Sequence, residues 1–148
     1  MKNSNNLIDS LEVYVLNNPD DVKPHWVSHF IVPTANELLI KIKNKNGNSG
    51  FGLATSYSDI SPIIKPFSNG LQDFIIGQDP FCPEKIYESI SKLTDTRISS
   101  EKGWNKEALI RISAALDIAC WDLMGKSSNI PLYKLFGGYR NKIPVYVT

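Results

Sequence analysis

Hydrophobic and polar residues alternate along the first half of the chain and recur at three- and four-residue spacing along the second. In LEVYVL, Leu11, Val13 and Val15 share one side, which predicts a strand over Leu11 to Leu16. The pattern then stops. Asn17 to Pro33 holds three prolines, two histidines and a tryptophan without a sustained period, which predicts a long connection, partly extended and partly exposed. Alternation returns in ELLIKIK, where Leu38, Ile40 and Ile42 oppose Leu39, Lys41 and Lys43. Asn46-Gly47 suits a tight hairpin turn. A returning strand over about Gly50 to Thr55 carries Gly50 and Gly52, whose missing side chains let another backbone approach. These segments predict a three-stranded antiparallel meander, which needs a partner layer over its apolar face.

Helical spacing supplies that layer. Pro62 to Ile76 reads as a helix interrupted by Pro66 and Gly70. A second helix opens at Pro83 and places Ile86, Ile90 and Leu93 on one stripe. Asp95 to Gly103 reads as a loop. The longest periodic segment, Lys106 to Met124, has Asn105 as N-cap and Leu109, Ile112, Leu116, Ala119 and Leu123 at helical spacing. Its small residues Ala114, Ala115 and Ala119 allow close approach. Gly125 and the Ser127-Ser128-Asn129 turn end it, Pro131 opens a short helix, and Gly137-Gly138 stops that one. The expected class is α+β, a meander packed on a helical layer. Ile143 to Thr148 is β-prone with no later element to pair with, so the sequence reads as cut short.

Charge narrows the function classes. The 148 residues include 16 Lys plus Arg and 15 Asp plus Glu, a formal charge of +1, which gives no electrostatic footprint for nucleic acid or an anionic membrane. A chain of this length buries roughly 68–70% of its unfolded surface, enough for one core without staples. Cys82 and Cys120 form neither a disulfide framework nor a CxxC motif and read as small buried hydrophobes. The polar N-terminus MKNSNNLIDS and the absence of a long apolar run make a cytoplasmic location the expectation.

The run Ile112 to Gly138 carries Ala115-Leu116-Asp117-Ile118-Ala119, Trp121-Asp122-Leu123, Gly125-Lys126 and Pro131-Leu132-Tyr133-Lys134-Leu135-Phe136-Gly137-Gly138. In this order and spacing these motifs resemble the N-terminal capping domain of the mandelate racemase/muconate lactonizing group of the enolase superfamily. The Ile76 to Pro80 turn and the Arg140 to Tyr146 segment agree with the same family, so the resemblance covers nearly the whole chain. One departure is visible: many relatives have Gly-x-Gly-Glu-Ala on the third cap strand, whereas this chain has Gly50-Phe51-Gly52-Leu53-Ala54.

The resemblance implies an enolase-like capping domain over residues 1–138. Residues 139–148 would form a linker and the first strand of a (β/α)7β barrel that is otherwise missing. Similar enzymes abstract the proton α to a carboxylate and stabilise the product on Mg2+. That chemistry needs a cation, because a carbon acid is too weak for Lys or His alone. The catalytic residues and Mg2+ ligands would lie in the barrel, so no catalytic or metal residue is assigned here and the fragment alone is expected to be inactive. The expected parent is a homo-oligomeric acid-sugar dehydratase, or a racemase or cycloisomerase, acting on a carboxylate or sugar-acid substrate, with dehydration favoured by family weight.

The resemblance also implies lid roles. The loop after the first strand would close over the barrel mouth through His25, Trp26, His29 and Phe30, and the segment after the third strand would contribute Thr55 and Tyr57. The plainer alternative is that Trp26 and Phe30 pin the loop to the core and that Thr55 and Tyr57 are ordinary surface. His25 and His29 lack a third ligand and a helix to carry them, so a metal site there is not expected. Lys41 and Lys43 mimic a Lys-x-Lys base motif but alternate with core residues, and read as a solvated strand face. Asp117 and Asp122 stand about 140° apart around a helix and cannot converge on one site. They, Trp121 and Tyr146 are assigned to the interface between cap and barrel. The competing class is a stand-alone, non-catalytic binding or assembly module with the same fold. A small enzyme centred on the histidine loop is disfavoured, because two histidines without a carboxylate provide little chemistry.

Overall fold

A computed structural model of the chain describes residues 4–17, 23–27, 29–32 and 36–146. Strands β1 (Ile8–Leu16), β4 (Asn36–Asn44) and β5 (Ser49–Ser56) form an antiparallel sheet in the order β1-β4-β5. The register sets Val13 beside Ile40 and Ile40 beside Gly52, while Tyr14, Leu39 and Leu53 form a row on the opposite face. This is the meander expected from the alternation. Leu38, Ile40 and Ile42 are fully buried, so the central strand anchors the core.

The helical layer covers that inner face. Helices α1 (Ser61–Ser68), α2 (Pro83–Leu93), α3 (Arg97–Lys102), α4 (Lys106–Ser128) and α5 (Leu132–Leu135) follow the sheet. α4 begins at Asn105, whose side chain accepts a bond from the Ala108 N–H at 3.2 Å, as the N-cap expectation required. Its Leu109, Ile112, Leu116 and Leu123 are fully buried, each contributing about 1.5–3 kcal/mol on transfer from water. α4 lies so close to β5 that a Cβ on Gly50 would stand 1.9 Å from the Ala119 carbonyl oxygen, and one on Gly52 1.9 Å from that of Ala115. The two glycines are therefore the seat of the helix. α2 packs on the far side of α4 through Ile86, Ile90 and Leu93.

Several expectations change. The Asn17 to Pro33 connection contains a small hairpin, β2 (His25–Val27) with β3 (Phe30–Val32), pairing Trp26 with Ile31. Three residues per strand are too few for a period to show. Asp95 to Gly103 is not a loop: α3 is capped by the Thr96 side chain, which accepts from the Ser99 N–H, and ends on Gly103 at φ 63°. The interrupted segment splits into α1, with Pro66 inside it, and a 3-10 turn over Leu71–Phe74, divided by Gly70 at φ 90°. α4 runs past Gly125 to Ser128, and Asn129 ends it at φ 53°. Ala114 faces solvent, whereas Ala115 and Ala119 are buried. Cys120 is buried as expected, but Cys82 is exposed, because as the N-cap residue of α2 it lies outside the apolar stripe. Ile143 to Tyr146 lies outside any strand, with Ile143 at 73% and Val145 at 87% exposure. Val147 and Thr148 lie outside the described residues. No helix among the described residues is long and apolar enough to cross a membrane.

Candidate functional site

The meander sends its connections to two ends. The register places Leu16, Glu37 and Thr55 side by side at one of them. The β1 to β4 connection, which holds the β2–β3 hairpin, and the turn after β5 therefore leave from the same end of the sheet. Topology thus brings both groups of lid candidates to one rim. Trp26 is 75% exposed and Tyr57 51%, and His29 is exposed in the hairpin turn. The side chains of His25 and Phe30 lie outside the described residues, as does most of the approach to the hairpin.

The turn after β5 is held on every side. Arg111 donates from Nη1 to the Thr55 carbonyl at 2.5 Å, while its Nε and Nη2 bind Glu107 Oε1 at 3.2 and 2.7 Å. Asn36 Nδ2 donates to the Ser58 carbonyl at 3.0 Å, and the buried Ser56 hydroxyl donates to the Asp59 carbonyl at 3.2 Å. Asp59 accepts from the Ser61 amide at 2.9 Å and hydroxyl at 2.7 Å, and these bonds hold its carboxyl below the usual range. Beside the turn is a small, partly open pocket of about 90 Å³ whose lining includes Ser56, Pro62, Ile63, Asn105, Glu107 and Arg111. Tyr57 thus projects from a fixed mount.

Arg111 and Asp122 also solve a backbone problem. β5 is an edge strand, and an unpaired edge leaves N–H and C=O groups open. Asp122 accepts from the Phe51 N–H at 2.9 Å, Arg111 takes the Thr55 carbonyl, and both come from α4. Asp122 is in turn bound by Lys126 at 2.5 Å, and the Lys126 ammonium lies 4.6 Å from the Phe51 ring centroid. Asp117 points elsewhere. Burial, and then the nearby Glu84 carboxylate, raise its pKa against a bond from Trp121. The two aspartates do not converge, as their angular separation required. Trp121 packs on Phe136 with ring centroids 4.8 Å apart, and Tyr146 is 87% exposed.

The sequence pattern placed neither Arg111 nor Asn36 at this rim. The i,i+4 pair with Glu107 was readable; the reach to Thr55 was not. Lys41 pairs with Glu12 at 3.1 Å and Lys43 is exposed, so both stand on a solvated strand face. Among the described residues no three His, Cys, Asp or Glu side chains gather to hold a metal ion.

The comparisons with known proteins agree with this fold. The sequence model of the mandelate racemase/muconate lactonizing enzyme N-terminal domain matches residues 10–137. The chain is 32% identical to the L-Ala-D/L-Glu epimerase of Clostridium acetobutylicum over 85% of its own length and 33% of that protein. It is 33% identical to a D-galactonate dehydratase family member of Enterococcus gallinarum over 66% of its length and 23% of that protein. A racemase from Streptomyces coelicolor A3(2), crystallised with bound magnesium, superposes with a TM-score of 0.76 at 27% identity, over 95% of this chain and 38% of that one. The chain spans about a third or less of the length of the curated relatives it matches. It belongs to the mandelate racemase/muconate lactonizing enzyme N-terminal domain family of the enolase superfamily.

Proposed function

We propose that this chain is the specificity cap of an enzyme that abstracts a proton α to a carboxylate. The observation that carries the reading is the common rim: the hairpin bearing Trp26 and the braced turn bearing Tyr57 leave the same end of the sheet, in a family match that spans nearly the whole domain. Residues 1–138 form the cap and residues 139–148 lead into the catalytic domain. Acid, base and Mg2+ ligands belong to that domain, and the cap alone is inactive. The cap contributes exclusion of water and contacts to the substrate's distal end.

Within this reading His25, Trp26, His29 and Phe30 form the movable part of the lid, and Thr55 and Tyr57 the fixed part. Asp117, Trp121, Asp122 and Tyr146 face or support the joint with the catalytic domain, and the exposed Phe136 beside Trp121 extends that apolar surface. Relatives named as epimerases and as dehydratases share this cap, which supports racemisation, cycloisomerisation or acid-sugar dehydration as the reaction class. The test is made in the complete enzyme carrying this cap. Trp26→Ala and Tyr57→Ala should each change the ratio of kcat/KM between sugar acids and dipeptides, whereas Lys43→Ala at the far end of the sheet should not. An unchanged ratio in the first two variants would remove the lid assignment.

A further inference from the structure

An asparagine followed by glycine is a chemically fragile pair, because glycine has no Cβ to hinder its amide nitrogen as that nitrogen approaches the asparagine carboxamide. The chain holds two such pairs, Asn46-Gly47 and Asn69-Gly70. Both asparagines are exposed, so access to water does not separate them. Hydrogen bonding does.

Asn46-Gly47 lies in the turn between β4 and β5 and is held at both reacting ends. The Gly47 N–H donates to the Asn44 carbonyl at 3.0 Å, which ties down the atom that would attack. Asn46 Nδ2 donates to Asn6 Oδ1 at 2.9 Å, which fixes the group that would be attacked. Around them the Asn44 N–H donates to the Asn48 carbonyl and the Asn48 N–H to Asn44 Oδ1, both at 3.0 Å. Turning the peptide between residues 46 and 47 would therefore undo the end of the hairpin. Asn69-Gly70 lies between α1 and the 3-10 turn. Asn69 ends the helix at φ −110° and ψ 24°, with its own N–H bonded to the Lys65 and Pro66 carbonyls. Among the described residues neither the Gly70 N–H nor the Asn69 carboxamide has a hydrogen-bond partner. A flip of the peptide between them changes ψ of Asn69 and φ of Gly70 together, and glycine, here at φ 90°, accepts either sign of φ. One bond resists that flip: the Lys102 ammonium, 5.2 Å from the Trp104 ring centroid, donates to the Asn69 carbonyl.

We infer that Asn69 is a site of spontaneous deamidation, with Lys102 as the latch that slows it. Gly70 N loses its proton to water or hydroxide and attacks Asn69 Cγ. The N–Cγ bond forms, the Cγ–Nδ2 bond breaks, and Nδ2 takes up a proton and leaves as ammonia. Water then opens the succinimide at either ring carbonyl, giving an aspartyl or an isoaspartyl residue. No oxidant or reductant takes part, and the new carboxylate cancels the formal charge of +1. The isoaspartyl product adds a carbon to the main chain just before the fully buried Leu71, which loosens the seat of the 3-10 turn in the core.

Peptide mapping by mass spectrometry follows both pairs in the 148-residue chain held for weeks in neutral buffer, with and without concentrated urea. One net hydrogen bond is worth about a factor of five in population, and Asn46 must break two where Asn69 breaks one. Asn69 should convert roughly fivefold faster than Asn46 in the folded chain, and the two rates should become nearly equal in urea. Lys102→Ala should raise the Asn69 rate about another fivefold, with the Asn46 rate in the same sample unchanged as the control for folding. Equal rates in the folded chain, faster conversion of Asn46, or a ratio that persists in urea overturns the proposal, as does a Lys102→Ala chain in which Asn69 converts no faster.

Discussion

Gly52→Ala is the substitution whose sign is most informative. In an open strand this change stabilises by roughly 0.5–1 kcal/mol, because Ala loses less backbone freedom on folding. Here the added Cβ would lie 1.9 Å from the Ala115 carbonyl oxygen and 2.8 Å from its carbonyl carbon. Both atoms belong to the backbone of α4, so no rotamer relieves the clash and the helix must lift from the sheet. Overpacking of this kind costs about 1–3 kcal/mol, and the rigid partner puts Gly52→Ala at the upper end, about 3 kcal/mol. Against a total stability of about 5–15 kcal/mol this is a large loss, seen as a fall in melting temperature of roughly 6–12 °C for a domain of this size. Urea unfolding followed by far-ultraviolet circular dichroism measures it. Ala115→Gly should not rescue the variant, because the obstructing atoms are not in the side chain. Gly47→Ala, with φ 88° and open space around it, should cost only about 1 kcal/mol of conformational strain. A neutral or stabilising Gly52→Ala would refute the close seat of α4 on β5.

Other outcomes follow from single groups. Burial and the Glu84 carboxylate raise the Asp117 pKa, so the unfolded chain releases this proton first and stability is lost as pH rises through the folded value. Asp117→Asn should therefore have a higher urea midpoint than the wild type at pH 7, with the gap closing below about pH 4. The Cys120 thiol, pushed up to about 12 by burial with Asp117 and Asp79 adding to it, keeps its proton where the unfolded chain has lost it. Its contribution is complete below about pH 9 and is lost as pH rises toward about 12, and one thiol per chain, Cys82, should react with a disulfide reagent before unfolding and two after it. Asn105→Ala removes the cap bond to Ala108 and should lower stability by about 1 kcal/mol, checked by the same urea titration.

The elements with long, regular patterns were legible because their burial is one-sided. Alternation in β4 and the stripe on α4 each report a face, and the motif run from Ile112 to Gly138 added the fold family. The glycines of β5 and the small residues of α4 each announced a close approach in the sequence, but that Gly50 meets Ala119 and Gly52 meets Ala115, with Ala114 left in solvent, is seen only in the structure. Short elements were not legible. The β2–β3 hairpin gives three residues per strand, and α3 has six residues whose signal is a cap threonine and a terminal glycine rather than a stripe. The braces of the Thr55 to Asp59 turn were hidden for another reason. Arg111 lies 56 residues from Thr55 in sequence, and nothing local in either segment announces that bond. Cys82 shows the limit of residue-type reasoning, since its place at a helix cap overrode the usual burial of a free thiol.

The central claim, that this domain shapes substrate choice while the chemistry resides in the domain it caps, has a direct measurement. Residues 1–148 are tested alone, and joined in place of the cap of the Clostridium acetobutylicum epimerase, by following incorporation of deuterium at the α-carbon of dipeptides and sugar acids in heavy water with Mg2+. The account predicts no exchange by the chain alone, exchange by the fusion, and a substrate profile that differs from that of the unaltered epimerase. Exchange by the chain alone, or a fusion whose active profile is identical to the epimerase's own, would contradict it.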